Sequence, residues 1–232
     1  MAPVADHDLY TFYQFVTPEN TALLRSFFGC LAGALDYLHE AKIRHRDIKP
    51  QNILVKGPHV YFTDFGISLD WENLSRSTTT EDTAKSQLYC APEVARWKPR
   101  NTSADIWSLG CVFVEMLTLV KGRTVEEQRE FFRQRTDNTR FYENMSSTQE
   151  WVGQLRQIDS GQTSDSLLAN CILQMLKENP DERLRTAELY DKISIYRDLE
   201  GNPLCGECCV SDTLSDSDSG SDRDPFADTA ET

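Results

Sequence analysis

From His45 to Asn52 the chain reads His-Arg-Asp-Ile-Lys-Pro-Gln-Asn, which sets a carboxylate (Asp47), an ammonium (Lys49) and a carboxamide (Asn52) within one short stretch. Pro50 bars continuation of the helix that precedes it, so the stretch is predicted to be an irregular loop. A base, a phosphate-seeking cation and an oxygen donor for a hard cation are the groups that phosphoryl transfer needs, because that reaction consists mostly of positioning and charge neutralisation. Asp64-Phe65-Gly66 follows, and further on Ala91-Pro92-Glu93.

These three motifs, in this order and at this spacing, make the chain resemble the eukaryotic protein kinases of the Ser/Thr type. The resemblance implies that Asp47 accepts or orients the proton of a substrate hydroxyl and that Lys49 neutralises charge on the transferred phosphoryl group. It also implies that Asn52 and Asp64 hold Mg2+, and that Asn52, Leu54 and Asp64 line the site for ATP, with Leu54 under the adenine ring. A core leucine would serve equally well at position 54. Ser86 matches the hydroxyl that contacts the catalytic lysine, and together with Lys49 it favours Ser/Thr over Tyr as acceptor. Asp105 is implied to receive backbone N–H groups of the His45 loop. Arg183 is implied to pair with Glu93, with Arg185 as the alternative. The resemblance further places Asp8-Leu9-Tyr10 at the first helix after the hinge between the two kinase lobes. The expected architecture is therefore mainly α, a kinase-like large lobe with a small β-hairpin near the catalytic loop, and the β-rich N-terminal lobe absent from this sequence.

The elements that must carry these residues are legible by period. Thr17-Pro18-Glu19 predicts a helix start, since Thr caps, Pro suits the first turn and Glu favours the positive end of the dipole. Leu24, Phe27, Phe28, Leu31, Leu35 and Leu38 then recur at the spacing of one buried helical face, ending near His39-Glu40 and leading into the loop. Ile53-Leu54-Val55 and Val60-Tyr61-Phe62-Thr63, separated by Lys56-Gly57-Pro58-His59, predict a hairpin that holds Asn52 and Asp64 on one support. Asn101 to Asp105 opens a helix that is apolar nearly all round from Ile106 to Leu117, and such a helix must be buried. Residues 121–165 are polar and weakly periodic, so helices with long loops are expected there. A helix from Leu167 to Leu176 and a last one capped by Thr186 and running to about Tyr196 complete the set.

The stretch from Asp64 to Glu93 is rich in Ser and Thr, including Ser75, Ser77, Thr78, Thr79, Thr80 and Thr83. It reads either as a solvated loop or as a switch whose phosphate would dock on Arg46.

Charge and cysteine usage narrow the setting. The 232 residues carry a formal net charge of -13, concentrated toward the end: from Cys205 onward eight Asp/Glu face Arg223 alone. That field argues against nucleic acid and anionic membrane as partners. Cys30, Cys90, Cys111 and Cys171 lie singly in apolar or motif-bearing stretches, as thiols do in a reducing compartment. The apolar run Ile106 to Val120 is interrupted by Ser108, Glu115 and Thr118 and is short for a bilayer span, and no signal peptide is visible. An intracellular protein, cytoplasmic or nuclear, is expected.

Residues 1–200 are expected to form the partial kinase domain, and 201–232 an acidic Ser/Asp-rich disordered tail whose serines resemble sites of acid-directed kinases. Cys205, Cys208 and Cys209 suggest a metal site only if a second Cys or His cluster completes it, and lipidation there is opposed by the acidity that follows.

Two functions fit. One is a Ser/Thr protein kinase using ATP and Mg2+ on a protein substrate, truncated here and by itself weakly active or inactive. The other is a non-catalytic kinase-lobe scaffold that binds its missing small lobe or a partner kinase.

Overall fold

The computed structural model describes residues 5–65, 69–70, 86–98, 101–158, 164–196, 203–206 and 209. Among them the architecture is helical, with small antiparallel sheets at one end.

Strand β1 (His7–Asp8) runs into helix α1 (Leu9–Phe12), where the Asp8 side chain accepts from Thr11 N–H at 2.6 Å and caps the turn. The predicted start at Thr17 is realised as a capped single turn, Pro18–Asn20, in which Thr17 and Asn20 satisfy one another's backbone donors. Helix α2 (Thr21–Glu40) follows directly, and Leu24, Phe27, Phe28, Leu31 and Leu35 are fully buried along it. Each such side chain contributes about 1.5–3 kcal/mol by leaving water.

After α2 comes β2 (Ile43–Arg44), paired with β5 (Leu69–Asp70). The hairpin consists of β3 (Ile53–Lys56) and β4 (His59–Phe62), with Ile53 opposite Phe62 and Lys56 opposite His59. This register leaves Gly57 and Pro58 as a two-residue turn, and Gly57 takes the positive φ (52°) that such a turn demands of its first residue. Strand β1 adds to the other edge of β3, so the expected hairpin is part of a three-stranded sheet.

Short helix α3 (Pro92–Ala95) precedes α4 (Ser103–Val120), which is the axis of the molecule. By length and composition α4 could cross a membrane, yet 83% of it is buried inside the fold. Helix α2 crosses it with the Phe28 ring edge-on to Phe113 at 4.8 Å.

Within the polar region expected to hold helices with long loops, residues 121–158 are better ordered than their weak periodicity predicts. They form α5 (Val125–Thr136), started by a Thr124/Glu127 capping box, and α6 (Met145–Gln157). A few large anchors suffice where a continuous apolar stripe is missing: Phe132 and Trp151 are buried, and Trp151 Nε1 donates to Thr118 at 2.8 Å. Helices α7 (Ser164–Met175) and α8 (Thr186–Ser194) close the bundle. Thr186 is the first residue of α8 and not its cap, because Arg185 and Glu188 satisfy the end instead.

Of the stretch 201–232, expected as a tail, residues 203–206 lie against the bundle. Leu204 and Cys205 are buried, and Gly29 N–H donates to Leu204 O at 2.8 Å. A Cβ on Gly29 would lie 2.1 Å from Cys205 Sγ and 2.5 Å from Leu204 O, so only glycine permits this approach to α2.

Candidate functional site

The loop after β2 is anchored from below. Asp105, 2% exposed in the first turn of α4, accepts from His45 N–H at 3.0 Å and Arg46 N–H at 2.8 Å, while His39 Nε2 stands 3.0 Å from its Oδ2. Two backbone donors that no regular element could serve are thereby satisfied. Arg46 in turn adopts φ 72°, a left-handed turn in which the chain reverses toward Asp47.

Three of the residues singled out by type and spacing meet directly. Lys49 Nζ lies 2.5 Å from Asp47 Oδ2, and Asn52 Nδ2 donates both to that oxygen at 2.9 Å and to Asp47 O at 2.8 Å. Asp47 is thus fixed in orientation by an ammonium and an amide. Because the Asn52 amide hydrogens are committed to Asp47, its carbonyl oxygen is the atom left to face a ligand.

Asp64 joins the group through the backbone. Thr63 N–H donates to Asn52 O at 3.0 Å at the mouth of the hairpin, so Asn52 leaves one strand where Asp64 leaves the other. Asp64 is exposed and has φ 62°, a strained value for a non-glycine residue that turns it out of the strand. Leu54 is half-buried on β3 between Asp8 and Tyr61. Gly66, the activation stretch from Ser75 to Thr83, and the Ser86 side chain lie outside the described residues.

His45 is fully buried, with Phe62 at 5.3 Å and Phe65 at 5.1 Å between ring centres. Burial pushes its pKa below the ordinary value of 6.5, and the Asp105 carboxylate only partly opposes this. The unfolded chain therefore binds the His45 proton more tightly than the folded one. The contribution to stability is complete above pH 6.5 and is lost as pH falls through the lower folded value. His45→Phe keeps a ring between Phe62 and Phe65, and urea denaturation from pH 7.5 to pH 5 is expected to show a shallower loss of stability than in the parent. Parallel curves would refute the assignment.

Glu93 and Arg183 form a buried fork, with Arg183 Nη1 and Nη2 each 2.7 Å from one Glu93 oxygen. Arg183 also donates to the carbonyls of Ser103, Lys177 and Glu178 and lies 5.0 Å from the centre of the Trp107 ring. Arg185, the alternative, is exposed and bonds Glu188. The resemblance thus named the right pair.

Composition and period did not find the second support. Glu115 sits fully buried in the all-apolar α4, where it accepts from Tyr89 Oη at 3.0 and 3.1 Å and from Arg129 at 3.2 Å. Burial raises its pKa, against the opposing pull of Arg129 and Tyr89. The trio ties α5 and α4 to the chain just before Ala91-Pro92-Glu93. The signal in the sequence was a carboxylate in the apolar run from Ile106 to Val120, since a buried charge must have partners.

The family model described as the protein kinase domain matches residues 3–193. The serine/threonine-protein kinase ATG1 of Debaryomyces hansenii is 32% identical over 200 residues, which covers 79% of this chain and 21% of that protein. Sgk3 of Mus musculus is 46% identical over 101 residues (43% of this chain, 20% of that protein), and AtPK1/AtPK6 of Arabidopsis thaliana is 41% identical over 97 (41% and 20%). The matched part of the chain spans a fifth of the length of the Arabidopsis and mouse relatives.

Proposed function

Because the chain belongs to the protein kinase family, we propose that it transfers a phosphoryl group from ATP to a serine or threonine hydroxyl of a protein substrate. The observation that carries this reading is the Asp47–Lys49–Asn52 cluster, a carboxylate oriented from two sides on a loop pinned to the central helix.

Asp47 presents its carboxylate to the entering hydroxyl and takes up or orients its proton. Lys49, already beside that carboxylate, offsets negative charge spreading over the transferred group. The two oxygen donors at the mouth of the hairpin, the Asn52 carbonyl and the exposed Asp64 carboxylate, are hard ligands of the kind Mg2+ prefers, so the donor set fits that ion. When bound with ATP, it supplies positive charge to the phosphate oxygens. Leu54 supplies an apolar floor for the base.

The test is phosphate incorporation from Mg-ATP into a generic acceptor protein by the purified chain and by Asp47→Asn, which preserves shape and removes the base. The variant is expected to be at least ~10²-fold slower, the usual scale for loss of a general base. Equal incorporation by the two would remove the catalytic reading and leave the non-catalytic scaffold.

A further inference from the structure

The segment seated on α2 brings together sulfur atoms that are far apart in the chain. Cys209 Sγ lies 3.8 Å from Cys30 Sγ, and Gly206 N–H donates to the same Cys30 sulfur at 3.1 Å. Cys30 is 6% exposed on α2, and Cys209 is half-buried, packed against the core. The approach is held in register by Gly29, whose N–H bonds Leu204 O and whose missing side chain leaves room for Cys205. The described cysteines carry no disulfide.

We propose that Cys30 and Cys209 form a dithiol modification site that a hydroperoxide converts to a disulfide, fastening Cys209 to the helix that leads into the catalytic loop. The sulfurs need to close from 3.8 Å to about 2.0 Å, a shift that rotation of the half-buried Cys209 side chain can supply. The Gly206 N–H holds the Cys30 sulfur in place, and Cys209, the less buried of the two, meets the oxidant first.

The Cys209 sulfur attacks the terminal oxygen of the hydroperoxide, the O–O bond breaks, and the thiol proton leaves with the departing alcohol or water. Cys209 is then a sulfenic acid. The Cys30 sulfur displaces its hydroxyl, which leaves as water with the Cys30 proton, and the S–S bond forms. Two thiols lose two electrons, and the peroxide bond takes both.

A chain with Cys205, Cys208 and Cys209 in its last part has other outcomes open to it, and the experiment separates them. The full chain, reduced and then treated with hydrogen peroxide, is alkylated, digested without reductant and mapped by mass spectrometry. The expected result is a peptide pair joining Cys30 to Cys209, lighter than the sum of its parts by two hydrogen atoms and lost on reduction. Cys209→Ser, which replaces one sulfur by an oxygen of similar size, is expected to abolish it. Gly29→Leu fills the notch and is expected to reduce its yield several-fold while leaving the far-ultraviolet circular dichroism of the helices unchanged.

A link from Cys30 to Cys208, a link within the Cys205–Cys209 stretch, or complete alkylation of all thiols would each overturn the proposal. So would zinc bound one to one by the reduced chain and lost on Cys209→Ser, since a metal would then hold the sulfurs. None of these readouts depends on phosphate transfer, so failure here leaves the kinase reading untouched.

Discussion

Asp105→Ala is expected to cost roughly 3–5 kcal/mol of stability, because it orphans a buried and a part-buried backbone donor and a buried histidine at once. His45 and Arg46 place their N–H groups on the two Asp105 oxygens, and His39 shares the Oδ2 that His45 uses. Water cannot replace the carboxylate without opening the site where α2, the loop and α4 meet. Asp105→Asn keeps the volume but offers one acceptor oxygen where two are in use, so a smaller loss of about 1–3 kcal/mol is expected. Urea denaturation of the three proteins gives the order directly. The loop would also lose its footing under Asp47, so phosphate incorporation should fall in Asp105→Asn even where the fold persists. A loss below about 1 kcal/mol for Asp105→Ala would mean that the loop is held from elsewhere.

Arg183→Ala should be comparably severe, about 3–5 kcal/mol, since breaking a buried pair leaves the other charge uncompensated. Here the uncompensated group is Glu93, 5% exposed, and three carbonyls lose a donor with it. Arg183→Lys is not expected to rescue the fold, because a single ammonium cannot reproduce two parallel bonds to the carboxylate. The control is Arg185→Ala, whose side chain is 83% exposed and bonds a surface glutamate, with an effect within about 0.5 kcal/mol. Midpoints and slopes of denaturation curves for the three variants decide it. Similar losses for Arg183→Ala and Arg185→Ala would contradict the buried fork.

Much of the architecture could be read before any coordinates. The apolar period along α2 and the all-round apolar character of α4 are local signals, and local signals suffice when a helix has one clear face to bury. The hairpin was marked by two β-branched runs around Gly57 and Pro58. Between 121 and 165 the same method gave only helices with long loops. Helices α5 and α6 rest on a few aromatic anchors and on a capping box, and averaging over a polar window hides both.

The candidate site divides along the same line. The chemistry of Asp47, Lys49 and Asn52 follows from residue types within eight positions, because a loop that short cannot scatter them far. Asp105 beneath the loop and Glu93 with Arg183 came from likeness to a family and not from any pattern in the residues themselves. Neither route reached the Glu115–Tyr89–Arg129 trio or the approach of Cys209 to Cys30.

The sequence by itself therefore determined which groups are available for phosphoryl transfer and which segments are helix, strand or loop, since sterics and hydrophobic period act over a few residues. Only the tertiary structure decided how residues 60, 90 or 179 positions apart in the chain meet to support that site and the helix leading to it. Such meetings depend on how the helices pack around α4, and packing is a property of the whole core, to which any one segment contributes only its share.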